Sequence, residues 1–304
     1  MTPKILRCKI CGSDASFLES LRGNWRHKVY DFYSCPACNF LFVGNPDTDY
    51  EAIYDEFYYQ GKGADPLVDY AYEATNPHSS IRRYEWEGIT RWVRSLRKNH
   101  EHTKWLDYGC GNGGLVSYAG NTALQSFGFD VCGYDESIAA DDARKRGLPV
   151  LDRYEYEKTG PVFDVITAIE VLEHTEDPIS VLRSIRSKLN KEGVFIYTTG
   201  NSLFRPRKLS AWAYVRPEIH ISYFQPKTME TALSLAGFSP RYGSLPRGYE
   251  DIIRFKILKN LRIKKRSFVE EVFPWRPISF LANLRHGVFD FPVGINIAEE
   301  SVSR

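Results

Sequence analysis

The sequence predicts an α/β protein: a mostly parallel sheet with crossover helices, preceded by a small N-terminal zinc-binding module. Three observations predict it. Apolar strand-like runs alternate with segments of helical period beyond residue 80. A glycine-rich turn, Gly109-Cys110-Gly111-Asn112-Gly113-Gly114, joins one such run to a helix-like one. Two Cys-x-x-Cys pairs lie within the first forty residues.

The 304 residues, 43% of them apolar, can bury one medium-sized α/β core and a smaller appendage. Residues 1–46 read as the metal module, and residues 47–79 as a connector rich in Tyr, Asp and Gly without a clean period. From residue 80 to 98, Ile81, Tyr84, Ile89, Trp92, Val93 and Leu96 recur at helical spacing. Then come strand WLDY, helix VSYAGNTALQSF, strand VCGYD, helix SIAADDARKR, strand LPVL, strand FDVITAIEV, helix ISVLRSIRSKL and strand GVFIYTT. A helix over 227–236 and a strand from Phe238 complete a core domain of residues 80–246. The extension 247–304 mixes basic and aromatic positions without a clear period. The net charge of +2 favours neither nucleic acid nor a membrane surface. No apolar run approaches the roughly 20 residues of a bilayer span. The opening MTPKILRCKICG lacks an apolar signal core, so a cytoplasmic location is expected.

Cys8-x2-Cys11 and Cys35-x2-Cys38 can bring four thiolates to one tetrahedral Zn²⁺. Gly12 and Asn39 follow the two pairs, and both residue types tolerate a left-handed turn after a knuckle. Four thiolates leave no open coordination position, so the expected role is structural. The other reading of the four is as unliganded buried thiols.

Asp107 ends the WLDY strand just before the glycine turn, which lets a ligand lie against bare backbone. Gly109, Gly111 and Gly114 also fit the dinucleotide fingerprint, with Asp135 near the expected distance downstream, so an NAD-dependent oxidoreductase is one alternative. A carboxylate at position 107 would oppose a pyrophosphate, however, and suits an ammonium.

Asp107-x-Gly-x-Gly-x-Gly, Gly133-Tyr-Asp135, the run Phe163 to His174, Leu189-Asn-Lys-Glu-Gly193 and Tyr197-Thr-Thr-Gly-Asn201 together resemble class I S-adenosylmethionine-dependent methyltransferases. The resemblance spans about residues 80–245. It implies a Rossmann-like, seven-stranded, mostly parallel sheet with helices on both faces. It implies that Asp107 and the loop Gly109, Cys110, Gly111 and Gly113 hold the methionine portion and that Asp135 accepts from the ribose hydroxyls. It also implies an acidic partner for the adenine amine, for which Asp152 is the nearest candidate. Asp135 and Asp152 can equally be helix caps. With its metal module the chain further resembles bacterial methyltransferases of glycan and natural-product pathways. That implies a small hydroxylated acceptor such as a sugar, a glycan intermediate or a nucleotide-linked sugar.

Methyl transfer to oxygen or carbon needs a base and alignment. Candidates are Glu170, Glu173 and His174 after the fourth strand, and His220 and Tyr223 after the fifth. Glu170-x-x-Glu173-His174 also resembles metal-dependent O-methyltransferases of ubiquinone synthesis and of small-RNA 3′ ends. That resemblance implies a second divalent ion, with His220 completing its site. His174 can instead simply anchor its loop. Arg205, Arg207, Lys208 and the run 261–266 could meet an anionic acceptor, or form a solvated face. Tyr54, Tyr58 and Tyr59 could form an aromatic lid or ordinary packing. A non-catalytic zinc-bearing adaptor is the remaining alternative.

Overall fold

The computed structural model describes residues 5–67, 69–98, 102–120, 128–239, 247–284 and 293–296. Strands β1 (Ile5–Arg7), β2 (Asp14–Arg22), β3 (Val29–Ser34) and β4 (Leu41–Val43) form an antiparallel meander. Both of its faces are covered. Tyr30, Phe32, Leu41 and Val43 pack against Leu209 and Trp212, while Tyr33, Phe40 and Phe42 join a cluster that runs into the larger sheet.

The connector, read as aperiodic, holds three short helices: α1 (Tyr50–Ile53), α2 (Glu56–Tyr59) and α3 (Tyr70–Thr75). One-turn helices show no period, but each starts on an aspartate. The side chains of Asp49, Asp55 and Asp69 accept from the backbone amides of Ala52, Tyr58 and Tyr72.

The amphipathic α4 (Arg82–Leu96) leads into the alternation. Its members are β5 (Thr103–Tyr108), α5 (Gly114–Ala119), β6 (Phe129–Tyr134), α6 (Ile138–Lys145), β7 (Val150–Leu151) and α7 (Arg153–Lys158). After these come β8 (Phe163–Ile169), α8 (Pro178–Lys188) and β9 (Leu189–Thr198). Next are β10 (Ser222–Tyr223), α9 (Pro226–Leu235), α10 (Tyr249–Asn260), α11 (Phe268–Glu271), α12 (Trp275–Leu284) and β11 (Val293–Asn296). The end of the proposed helix VSYAGNTALQSF and the body of the strand expected from Phe238 lie outside the described residues.

Strands β7-β6-β5-β8-β9 are parallel, and β11 adds antiparallel to β9. The described sheet thus has six strands where seven were expected. Period-2 alternation splits its side chains between two layers. Trp105, Val131, Val165 and Ile196 face α4, α5 and α6, whereas Leu106, Ile166, Phe195 and Tyr197 face α8 and α9. Strand order reverses between β5 and β8, so a crevice opens beyond their carboxyl ends.

The small sheet takes its fifth strand from far along the chain. Strand β10 pairs with β4, matching Ser222 with Phe42 and Tyr223 with Leu41. Thr228 Oγ1 donates to the Cys38 carbonyl at 2.8 Å, and Phe40 packs on Phe224 with ring centroids 5.4 Å apart.

Candidate active site

At the end of β5 the Asp107 carboxyl is buried and accepts from Thr167 Oγ1 at 2.8 Å. Burial pushes it up to about 7, the nearby Asp135 and Glu85 carboxylates add to the rise, and the Thr167 bond opposes it. Among the described residues no Lys or Arg forms an ion pair with it. The chain then turns through Gly109 at φ +75°, where a Cβ would lie 2.5 Å from Val171 Cγ2. Only glycine lets the two crevice loops approach this closely. Asp135 Oδ2 accepts from the Gly111 amide at 2.9 Å and Oδ1 from the Ser137 amide at 2.7 Å. One lone pair per oxygen is used, and a carboxylate has capacity for more.

Two of the residues expected at the cofactor also have local structural roles. Cys110 directs its sulfur at Gly133, where a Cβ would meet Sγ at 2.5 Å. Asp152 is exposed and caps α7: it accepts from the Glu155 amide at 2.8 Å, and the Glu155 carboxylate accepts from the Asp152 amide at 2.9 Å. That reciprocal box was written in the sequence as Asp-x-x-Glu.

On the β8 side, Glu173, His174 and His220 bring one ligand atom each to within 4.8 Å of one another. Glu173 and His174 lie on a 3₁₀ turn, Leu172–His174. His220 is brought in by backbone bonds: the Ile221 amide donates to the Glu173 carbonyl, and the Val43 amide of β4 to the Ile221 carbonyl. The imidazoles are held alike. His174 Nδ1 lies 2.9 Å from the Ile219 carbonyl and His220 Nδ1 lies 2.7 Å from the Tyr214 carbonyl. A carbonyl only accepts, so each Nδ1 carries the proton and each Nε2 keeps its lone pair. Burial lowers both pKa values, that of His174 to about 4, so both rings are neutral at pH 7. Glu173 accepts from Thr199 Oγ1 at 2.8 Å and from Tyr214 OH at 2.9 Å. Burial, then repulsion from Glu170, pushes it up to about 8.

Glu170 does not join this cluster. Its backbone turns at φ +57°, which sends the carboxylate to Thr198 Oγ1 at 2.9 Å and Lys256 Nζ at 2.7 Å. Burial raises its pKa, but Lys256 and Lys259 outweigh that and hold it at about 2. Tyr223 is also elsewhere. It is wholly buried as part of β10, 5.8 Å from Phe32 and 5.7 Å from Trp212 between ring centroids. The local pattern around Tyr223 gave no sign that it pairs with β4.

Sequence reasoning missed Tyr214 and Lys256. Tyr214 donates its hydroxyl to Glu173, accepts from His220 Nδ1 at its carbonyl and packs on the His220 ring at 4.3 Å between centroids. Its only sequence signal is its place six residues before His220. The connector tyrosines span the crevice. Tyr54 OH lies 3.0 Å from His174 Nδ1, and ring contacts of 4.9, 5.2 and 5.5 Å link Tyr54, Tyr58, Tyr59 and Tyr70. Tyr70 ends this chain against Gly111. Arg207 and Lys208 are exposed.

The four N-terminal cysteines converge as their spacing predicts. Their sulfurs lie within 4.8 Å of one another, with Cys8–Cys38 and Cys11–Cys35 each 3.5 Å apart. Gly12 and Asn39 both adopt positive φ, at +72° and +61°. Such an all-thiolate set with two matching knuckles fits a structural zinc ion.

Residues 80–241 match the methyltransferase domain family, which is more than half of the chain. A Histophilus somni protein named ubiquinone biosynthesis O-methyltransferase is 32% identical over 139 residues, covering 41% of this chain and 54% of that protein. The Caulobacter sp. (strain K31) protein of the same name is 33% identical over 160 residues, covering 49% and 58%. The chain thus spans about half the length of the curated relatives it matches. A solved SAM-dependent methyltransferase from Thermotoga maritima is 20% identical with a TM-score of 0.40, covering 52% of this chain and 73% of that one. With its glycine turn, its switch-point crevice and this match over residues 80–241, the chain belongs to the methyltransferase domain family, the family of S-adenosylmethionine-dependent enzymes.

Proposed function

We propose that this chain is an S-adenosylmethionine-dependent O-methyltransferase for a small hydroxylated acceptor, which it activates at Glu173, His174 and His220. The proposal rests on one observation. Two neutral imidazoles, each fixed through Nδ1 by a backbone carbonyl, offer Nε2 lone pairs beside a buried carboxyl. That set can take a proton from an acceptor hydroxyl, and it also fits a divalent cation. A cation held there would bind the hydroxyl and lower its pKa.

On the cofactor side Asp107 suits an ammonium, being a buried carboxyl with no cation paired to it among the described residues. Asp135 has lone pairs left for ribose hydroxyls, and the glycine backbone leaves room beside them. The cofactor supplies a methyl group on a sulfonium. The protein aligns it, and the tyrosines from Tyr54 to Tyr70 shield the crevice from water. The names of the curated relatives, together with this aromatic wall, favour a phenolic or quinol hydroxyl over a sugar hydroxyl. A sugar or glycan intermediate is the second class to test.

Two results are expected at the cofactor site. S-adenosylhomocysteine affinity should weaken as pH falls below about 7, because protonating Asp107 removes the charge that meets the ammonium. Asp135→Ala should cost roughly 1.5–3 kcal/mol, about tenfold to a hundredfold in affinity. Titration calorimetry at pH 6 and 8 checks both, and unchanged affinity in Asp135→Ala would show that the site is misplaced.

The acceptor reading is tested with labelled donor against catechols, quinols and sugars, before and after brief EDTA exposure that leaves the cysteine-bound zinc in place. With a cation at Glu173, His174 and His220, turnover is lost and returns with Mg²⁺ or Zn²⁺, while cofactor affinity stays constant. With the histidines acting alone, turnover survives EDTA. Label appearing on no hydroxyl of any acceptor would remove the proposal.

A further inference from the structure

A cleft of about 270 Å³ opens between α3, the start of α4 and the end of α10, and Glu173, His174 and His220 are not among its lining residues. Its apolar wall is built by Leu67, Ile81 and Phe255, and its polar wall by Tyr72, Lys259 and Arg262. Most of the charged side chains around it are committed to one another. Glu73 on its rim is committed to Arg82 at 3.1 Å, and Lys264 to Asp69 at 2.8 Å. Lys256, one turn before Lys259 on α10, is taken by Glu170. Among the described residues, Lys259 and Arg262 form no ion pair with any carboxylate. Tyr72 adds a second, independent sign: its hydroxyl is buried without a hydrogen-bond partner. A buried donor left without a partner is costly.

We propose that this cleft is a second ligand site, which takes a carboxylate or phosphate group borne on a compact apolar body. The anionic head meets Lys259, Arg262 and the Tyr72 hydroxyl, and the apolar body lies along Leu67, Ile81 and Phe255. This combination of an apolar wall and a few convergent polar groups is the usual make-up of a small-molecule pocket. Charge-assisted bonds to ammonium and guanidinium would supply most of the orientation. Burial and the neighbouring Arg82 and Lys256 lower Lys259 to about 8, against the pull of Glu170 and Glu85, and a bound anion would favour its charged form further. Within the exposed run 261–265, Arg262, Ile263 and Lys264 also line the cleft. Arg262, at φ +58° just past α10, lines the cleft and is exposed to solvent.

The test is titration calorimetry of the full chain with phenyl phosphate, benzoate and neutral benzyl alcohol, without methyl donor or acceptor. The two anions should bind saturably, and benzyl alcohol at least tenfold more weakly. Whichever anion binds more tightly separates the phosphate source from the carboxylate source. Lys259→Gln and Arg262→Gln should each weaken the anions tenfold or more, and Tyr72→Phe severalfold. All three variants should keep their affinity for S-adenosylhomocysteine, which also reports that they are folded. Absence of anion binding would overturn the proposal, as would unchanged binding in all three variants or competition between the anions and S-adenosylhomocysteine. Because no turnover is measured, a failure here is distinguishable from a failure of the O-methyltransferase reading.

Discussion

His220→Ala is expected to lower methyl transfer by roughly a hundredfold or more while S-adenosylhomocysteine affinity stays close to that of the unaltered protein. The ring is buried, and its Nδ1 is bound to the Tyr214 carbonyl at 2.7 Å. The Tyr214 and His174 rings flank it, 4.3 and 5.0 Å away between centroids. Alanine removes one of two neighbouring lone pairs without touching β5, Asp107 or Asp135. The loss should therefore fall on turnover. Glu173→Gln keeps the shape and removes the ionisable carboxyl, and a similar drop is expected if that group takes part in holding a cation or orienting the base. Single-turnover rates with labelled donor, beside calorimetric affinities, separate the two effects. An unchanged rate in both His220→Ala and His174→Ala would leave alignment alone to account for the chemistry.

Cys38→Ser should release the metal and lower the melting temperature of the entire chain. Structural zinc in small modules is held by an apparent 10–16 kcal/mol or so, which is comparable with a whole domain's stability. Cys38 is buried, and its carbonyl accepts from Thr228 at the start of α9. The cysteines share a hydrophobic cluster with Leu106, Ile166 and Leu182 of the larger sheet and its helices. Loss of the knuckles should also reach His220, because β4 supports Ile221 and Ile221 supports the Glu173 turn. Elemental analysis and scanning calorimetry check this. Two separate unfolding transitions in the unaltered protein, with the later one unmoved by the substitution, would contradict it.

Much of this was legible in the sequence because it is local. The alternation of period 2 with period 3.6, the glycine turn after Asp107 and the cysteine spacing each constrain a few adjacent residues. That Glu173, His174 and His220 could meet was expected from a short motif and from a place in the chain, and the fold does bring the three together. The misses are tertiary. Glu170 left the cluster because one backbone torsion crossed to positive φ, aiming it at Lys256 on a helix whose sequence shows no relation to β8. Tyr223 was placed near the chemistry because its pairing with Leu41 cannot be seen from its neighbours. Tyr214 was missed because its hydroxyl and carbonyl act on two residues that meet only in the folded chain.

The pairing of β4 with β10 also orders events during synthesis. The cysteine knuckles are complete once Cys38 has emerged, yet the partner of Leu41 is Tyr223, about 180 residues later. At ribosomal speeds of 5–20 residues per second, that is a wait of roughly ten to forty seconds. Through this interval Leu41, Phe42 and Val43 present an open, apolar strand edge, the kind of template that recruits other nascent chains. Slower translation between the two segments should therefore raise the fraction lost to aggregation. A chaperone that shields short apolar strands should rescue it.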